Sequence, residues 1–449
     1  MTPPLKKGEH LTMNERKSVL SEETVSMPRI DESYLKIQHE SGLSIYVHPK
    51  DMSVTYAILC VNFGSMDQSF VDENGYPCLE LPHGTAHFME HKIFENEDGS
   101  DSFERFSALG ADANAYTTHN RTVYLFNCTE YFDECLEELL HFVTHPCFRK
   151  ESIDRERDII AQEILMYEDN PYSRAQEALI EAMYFKHPIK NKVSGTVESI
   201  EDITAETLYE CHSQFYKASE MSLVICGNAD PDNVVSIVDK VMIESNPSRG
   251  KRRLKVTSFE EPITVRCERV EIQMPINRPI LNLGFKLPVP LPEDASIERD
   301  LALDLICEML FSRSTELYST LFDGGFIAPW FSSSLADSED YANISISTET
   351  EHCDKVIELI ENYIDQKLEN GFESEEFERC RRVGYAELIS TFDSTEDIAE
   401  FMIEGIVKHR NIYDYITTVE SLTKEYVESV FRQTFSNRQK SVVIITPTN

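Results

Sequence analysis

At 449 residues the chain is longer than one ordinary hydrophobic core accommodates, so its length points to two or three domains. Apolar residues at 41% and charged residues at 27% describe a globular protein, and no apolar run reaches the roughly 20 residues that cross a bilayer. A formal net charge of −37 repels a phosphate backbone, which argues against nucleic acid as a partner and leaves two readings, a preference for cationic peptides or acidic residues kept for solubility.

The first twenty residues hold no apolar segment of the secretory kind. They also mix Glu with Lys and Arg, which argues against an organellar presequence. A flexible tail over residues 1–31 is expected, with a second possible start at Met13. The 11 cysteines are an odd number and none forms C-x-x-C. Cys60, Cys78, Cys128, Cys226 and Cys307 lie in or beside apolar stretches, where buried thiols are ordinary, and the set fits a reducing cytoplasm.

In chain order, YLKIQHESGLSIYVHP reads as a hairpin turning at Ser41-Gly42, and SVTYAILCVNFGS as a strand. A helix follows, then NAYTTHNRTVYLFNC as a strand pair and amphipathic helices from about Phe132 to Tyr184. MSLVICG closes the first half as a strand. A basic stretch with Pro and Gly, Asn246 to Pro262, joins the halves, residues 247–262 forming the linker. The second half echoes the first: strands in EIQMPINRPILNLGFKL, a helix in SIERDLALDLICEML, a strand in YANISISTET, more helices, and SVVIITP as the last strand. The expected fold is therefore α+β, with two homologous domains over 32–246 and 263–449. Each is a mostly antiparallel sheet packed with helices, descended from a duplication.

The first helix carries the chemistry. LPHGTAHFMEHKIFE contains His87, Glu90 and His91 in an H-x-x-E-H arrangement. Helical positions i and i+4 share a face, so both imidazoles can converge on one ion. Glu90, on the adjoining edge, can reach a water there without itself ligating. His83 is parted from His87 by Gly84 at the helix start and is not counted as a ligand. The third ligand must come from elsewhere, and ESIDRERDIIAQEILMYEDNP offers Glu156 and Glu163 on one face, about 10 Å apart along the axis. One would ligate and the other support. Spacing alone chooses neither, nor does it exclude a solvated acidic stripe.

Four blocks in this order, GTAHFMEHKIF, NAYTTHNRTVYLF, RERDIIAQEILMYEDNP and SGTVESIEDITAETLYECHSQFY, resemble the insulinase (pitrilysin) family. The likeness runs from about Tyr34 to the C-terminus. Within the family the chain is most similar to the short two-domain bacterial members, and it resembles the catalytic subunit of the mitochondrial processing peptidases. The resemblance implies one Zn2+ per chain on His87, His91 and Glu163, Glu90 as general base, and Glu156 as the supporting carboxylate. It also implies that Asn114, Ala115 and Tyr116 lie on an edge strand to which an extended peptide adds as a further strand. Tyr124 matches a family tyrosine near the metal, a core position being the alternative. The implied fold is insulinase-like, half of a clam-shell chamber. The implied function is a zinc-dependent endopeptidase subunit acting by metal-activated water, the alternative being a non-catalytic peptide-binding or structural subunit.

One region departs from the family. Members that act as one chain carry an Arg and then a Tyr that grip the substrate, in a segment matching STELYSTLFDGGFIAPWFSSS. Here Phe322 occupies the Arg position, and Ala328 or Pro329 the Tyr position; Arg313 comes too early. The only histidines beyond Pro247 are His352 and His409, and neither sits in H-x-x-E-H. The expectation is a heterodimer with a related chain that lacks the zinc motif and supplies the Arg and Tyr. Tyr318 or Trp330 acting as the clamp is the alternative.

Overall fold

The computed structural model describes residues 17–243, 254–257, 260–289, 296–338 and 340–448. In chain order, β1 (Val19–Met27), β2 (Glu32–His39), β3 (Ser44–Pro49) and β4 (Thr55–Val61) precede the short strands β5 (Ser69–Val71) and β6 (Pro77–Glu80). Helices α1 (Thr85–Lys92) and α2 (Ser102–Ala108) lead into a hairpin of β7 (Asp112–Thr117) and β8 (Thr122–Cys128). Then come α3 (Phe132–Thr144), α4 (Lys150–Asp169), α5 (Pro171–Met183), α6 (Val197–Ile200) and α7 (Ala205–Phe215). They are followed by β9 (Met221–Gly227), α8 (Pro231–Val238) and β10 (Lys255–Val256). The second half runs through β11 (Arg269–Met274), β12 (Ile280–Lys286), α9 (Ile297–Phe311), α10 (Glu316–Asp323), β13 (Phe331–Asp337) and β14 (Ala342–Glu349). It ends with α11 (Cys353–Asn370), α12 (Ser374–Ser390), α13 (Thr395–Val407), α14 (Ile412–Ser421), α15 (Lys424–Phe435) and β15 (Gln439–Pro447).

Strands β4 and β12 are buried along their whole length, which is why they read as unbroken apolar runs rather than as an alternation. The helix starts are written locally. Asn170 accepts hydrogen bonds from the backbone of Tyr172 and Ser173 just ahead of Pro171, and Thr204 and Thr207 form a capping box at α7.

Two compact units result. The first comprises the described residues of Met1–Asp158, Glu198–Thr257 and Asp393–Val407; the second comprises Ile159–Val197, Ser258–Phe392 and Lys408–Asn449. The first holds a seven-stranded sheet in the order β1-β2-β3-β9-β4-β8-β7 and a small sheet β10-β5-β6. The second holds a five-stranded sheet in the order β11-β15-β12-β14-β13. Its first pair is parallel and the rest antiparallel, as in β3-β9-β4-β8-β7 of the first unit. The duplication read from element order is thus present in the topology, and the fold is α+β.

The units do not follow the two halves of the sequence, so the contiguous boundaries expected for 32–246 and 263–449 need correction. Helix α5, from the first half, packs on β12 and β15, while α13, from the second half, packs on β9 and β4. The fit of α5 is close. A Cβ at Gly284 on β12 would lie 3.0 Å from the Leu179 methyls and the Met183 sulfur. An amphipathic pattern says that one helix face is buried but not which sheet buries it. The tail expected over 1–31 also changes: its described part contains β1, paired antiparallel with β2 from Met27↔Glu32 to Val19↔His39. Most of the 247–262 linker lies outside the described residues, but Lys255–Val256 pairs with β5 as β10. No described helix is long and apolar enough to cross a membrane.

Candidate metal centre

Helix α1 starts at Gly84, whose φ of 89° is the left-handed conformation that glycine takes without strain. Thr85, Ala86, Phe88, Met89, Glu90 and Lys92 are buried, so this eight-residue helix is held around most of its circumference, with His87 and His91 half-buried. The two imidazole centroids lie 4.6 Å apart at 61°. Glu163 comes from α4, an unbroken helix of 20 residues. Donor atoms of His87, His91 and Glu163 all lie within 4.8 Å of one another, the only such group of His, Cys, Asp or Glu among the described residues.

Glu156, two turns before Glu163, faces His91: Nδ1 and Oε1 are 3.1 Å apart. A proton on Nδ1 in that bond leaves the lone pair on Nε2, the state a metal ligand needs. Buried Lys92 stands 4.0 Å from the other Glu156 oxygen and 2.8 Å from Glu95. Burial, reinforced by the neighbouring His91, pulls the His87 pKa down to about 3, so its ring is neutral at ordinary pH. Two neutral imidazoles, one carboxylate and a carboxylate behind one imidazole make a donor set that fits zinc.

Glu90 is buried, and the Thr117 hydroxyl donates to its Oε2 at 2.7 Å. Sequence reasoning passed over Thr117. No spacing rule singles out a hydroxyl at a strand end, although it directly follows Asn114, Ala115 and Tyr116. Those three lie in β7, the edge of the seven-stranded sheet, opposite Leu125, Tyr124 and Val123 of β8. The Tyr116 hydroxyl donates to Glu400 on α13 at 2.7 Å, and Arg121, in the turn region of the same hairpin, pairs with Glu404. The tyrosine side chain thus fixes the hairpin, while the backbone of β7 remains at a sheet edge.

Tyr124 is fully buried, in the core position that the sequence left open as the alternative. Its hydroxyl shares a 2.7 Å hydrogen bond with Tyr216, and its ring packs edge-on against Phe94 and Phe142. It sits on β8, which is buried on both faces from Thr122 to Phe126. In the second unit, Phe322 on α10 is exposed and stacks with Tyr318 at 5.7 Å, and Trp330 meets Tyr172 edge-on at 5.2 Å. Ala328 and Pro329 lie between α10 and β13.

A family model described as Insulinase (Peptidase family M16) matches residues 48–197, and one described as Peptidase M16 inactive domain matches residues 202–383. A Bacillus subtilis relative named uncharacterized zinc protease YmfH is 32% identical over 94% of this chain and 99% of its own length. The crystal structure of a putative M16-like peptidase from Alicyclobacillus acidocaldarius superposes with a TM-score of 0.87 at 29% identity, covering 94% of this chain and all of that one. Pitrilysin shares the fold at a TM-score of 0.69 and 17% identity, over 92% of this chain but 45% of its own. The chain belongs to the insulinase family, peptidase family M16, and is one of its short two-domain members.

Proposed function

We propose that this chain is a zinc-dependent endopeptidase for extended peptides, with His87, His91 and Glu163 as the metal ligands. The observation that carries the reading is the convergence of three donor atoms within 4.8 Å, beside a carboxylate, Glu90, on the same helix as two of them. A zinc ion held there supplies Lewis acidity to a water and to the scissile carbonyl. Glu90 accepts the proton of the attacking water and returns it to the departing amine as the C–N bond breaks. Thr117 holds the Glu90 carboxylate in place, and Glu156 holds His91. The exposed edge of β7 at Asn114, Ala115 and Tyr116 pairs with the peptide backbone, which makes binding largely independent of sequence. Eleven free thiols favour a reducing compartment, and we assign the protein to the cytoplasm.

Glu90→Gln tests the mechanism, because an amide cannot take the proton. That variant should retain about one zinc per chain by metal analysis and lose peptide hydrolysis. Wild-type turnover would sink the mechanism and favour a peptide-binding subunit.

The missing clamp supports a second element of the reading. With Phe322 where an Arg would grip substrate, a homodimer repeats the same gap, and a related chain without the zinc motif would fill it. On this reading the isolated chain binds zinc and cleaves poorly until the partner is added. Full activity from the chain alone would remove the partner.

A further inference from the structure

The second unit repeats the spacing of the metal centre with other residues. On α9, Asp304, Cys307 and Glu308 stand at the offsets that His87, Glu90 and His91 have on α1. On α12, Cys380 and Glu387 are spaced as Glu156 and Glu163 are on α4, and in each case the exchanged helix comes next. All five residues line one cavity of about 420 Å3, bounded by α9, β13 and α12. Among the described residues they form no group of metal donors comparable with His87, His91 and Glu163.

The lining has two characters. Asp304, Glu308 and Glu387 bring three carboxylates, and among the described residues no Lys, Arg or His lines the cavity. Lys408, the cation whose charge reaches Asp304, is engaged by Asp300 at 3.2 Å and stands 3.9 Å from Asp337. Asp304 lines the cavity and is exposed to solvent. Desolvation by the protein packed around it, with the charge of Asp300 next, lifts its pKa to about 6. The remaining walls are apolar, among them Leu305, Leu335 and Val383. An aliphatic stem ending in a cation satisfies both characters at once. The volume lies within the roughly 300–1,000 Å3 of small-ligand sites.

We infer that this cavity binds a Lys or Arg side chain of a peptide, at a site separate from the metal centre. The inference deepens the peptidase reading by naming cationic peptides as its substrates, while the binding itself needs no hydrolysis. Three anions without a counter-ion in the cavity favour a positive guest, and the apolar walls hold the stem that an inorganic cation lacks.

The test is equilibrium binding to the full-length Glu90→Gln chain. The probes are a fluorescent peptide with a central Arg flanked by Leu and the same peptide carrying neutral citrulline. At low salt the Arg peptide should bind about ten-fold more tightly. Asp304→Asn combined with Glu387→Gln should bring that ratio to about one. Val383→Lys, on the exposed rim, should do the same by supplying its own ammonium, and it leaves the three carboxylates in place. Equal binding of the two peptides would overturn the proposal, as would a ten-fold preference that survives in Val383→Lys. If the Glu90→Gln chain cleaves the probes, the hydrolytic mechanism fails, and the zinc-chelated chain then gives the binding ratio.

Discussion

The two halves of the sequence share an order of five strands and of helices, yet they place different side chains at the same point. In the first half, α1 and α4 bring two imidazoles and two carboxylates to one spot. In the second, α9 and α12 bring carboxylates and thiols to a cavity. The scaffold sets where a site lies, and a handful of side chains set what it does. Two copies of one architecture can therefore diverge in chemistry without changing a single strand pairing.

The sharpest way to break this contrast is through the metal. His91→Ala should reduce bound zinc from about one per chain to near none, because a three-ligand centre loses a ligand. Asp304→Asn, at the corresponding place in the second unit, should leave zinc content unchanged. Glu156→Gln should weaken zinc retention by roughly 10–100-fold. Metal analysis after dialysis against a chelator series reads all three, and equal losses in His91→Ala and Asp304→Asn would erase the distinction.

The exchanged helices come next. Leu179 on α5 and Ile403 on α13 are both fully buried, each against the sheet of a unit built mainly from the other half of the sequence. Truncating either to Ala should cost about 2–5 kcal/mol in urea unfolding. If one truncation proves harmless, that helix is only loosely docked.

Acid should separate the units as well. Burial holds His48 and His212, both in the first unit, at pKa values of about 4. Their folded values lie below the ordinary 6.5, so the stability they represent is present above pH 6.5 and is lost as pH falls towards 4. At pH 5 this amounts to about 2 kcal/mol for each. Asp304 in the second unit runs the other way. Its raised pKa favours the folded state once protonated, a contribution lost as pH rises through about 6. Hydrogen exchange at pH 7 and pH 5 should show β9 loosening more than β12, and equal changes would contradict the assignment.

The smallest effect concerns Tyr124. As a core residue it should tolerate Tyr124→Phe with a loss of about 1 kcal/mol, from the bond to Tyr216, and with hydrolysis largely preserved. A large fall in turnover at unchanged stability would return it to the site.

Much of this was legible in the sequence, and for local reasons. The H-x-x-E-H face follows from helix periodicity, and the central strands β4 and β12 announce themselves as apolar runs. What escaped depended on partners distant in the chain. β1 is largely exposed and polar, so no apolar pattern marks it. β13, with Ser332, Ser333 and Ser334 in a row, lies at a sheet edge where pairing rather than composition makes the strand. The Thr117 bond to Glu90 and the Tyr124 bond to Tyr216 join residues whose separation carries no periodic signal.

The exchange of α5 and α13 also bears on how the protein is made. Synthesis from the N-terminus completes β4 and β9 long before α13, the helix that packs on them, has left the ribosome. Helix α5, conversely, emerges ahead of the strands it is to join. The nascent chain therefore carries an uncovered apolar sheet face and an unpaired amphipathic helix through most of translation. Such surfaces engage chaperones or aggregate if termination comes early. Neither half of the gene encodes a complete core, so the halves expressed as separate polypeptides should be insoluble apart and recoverable only together.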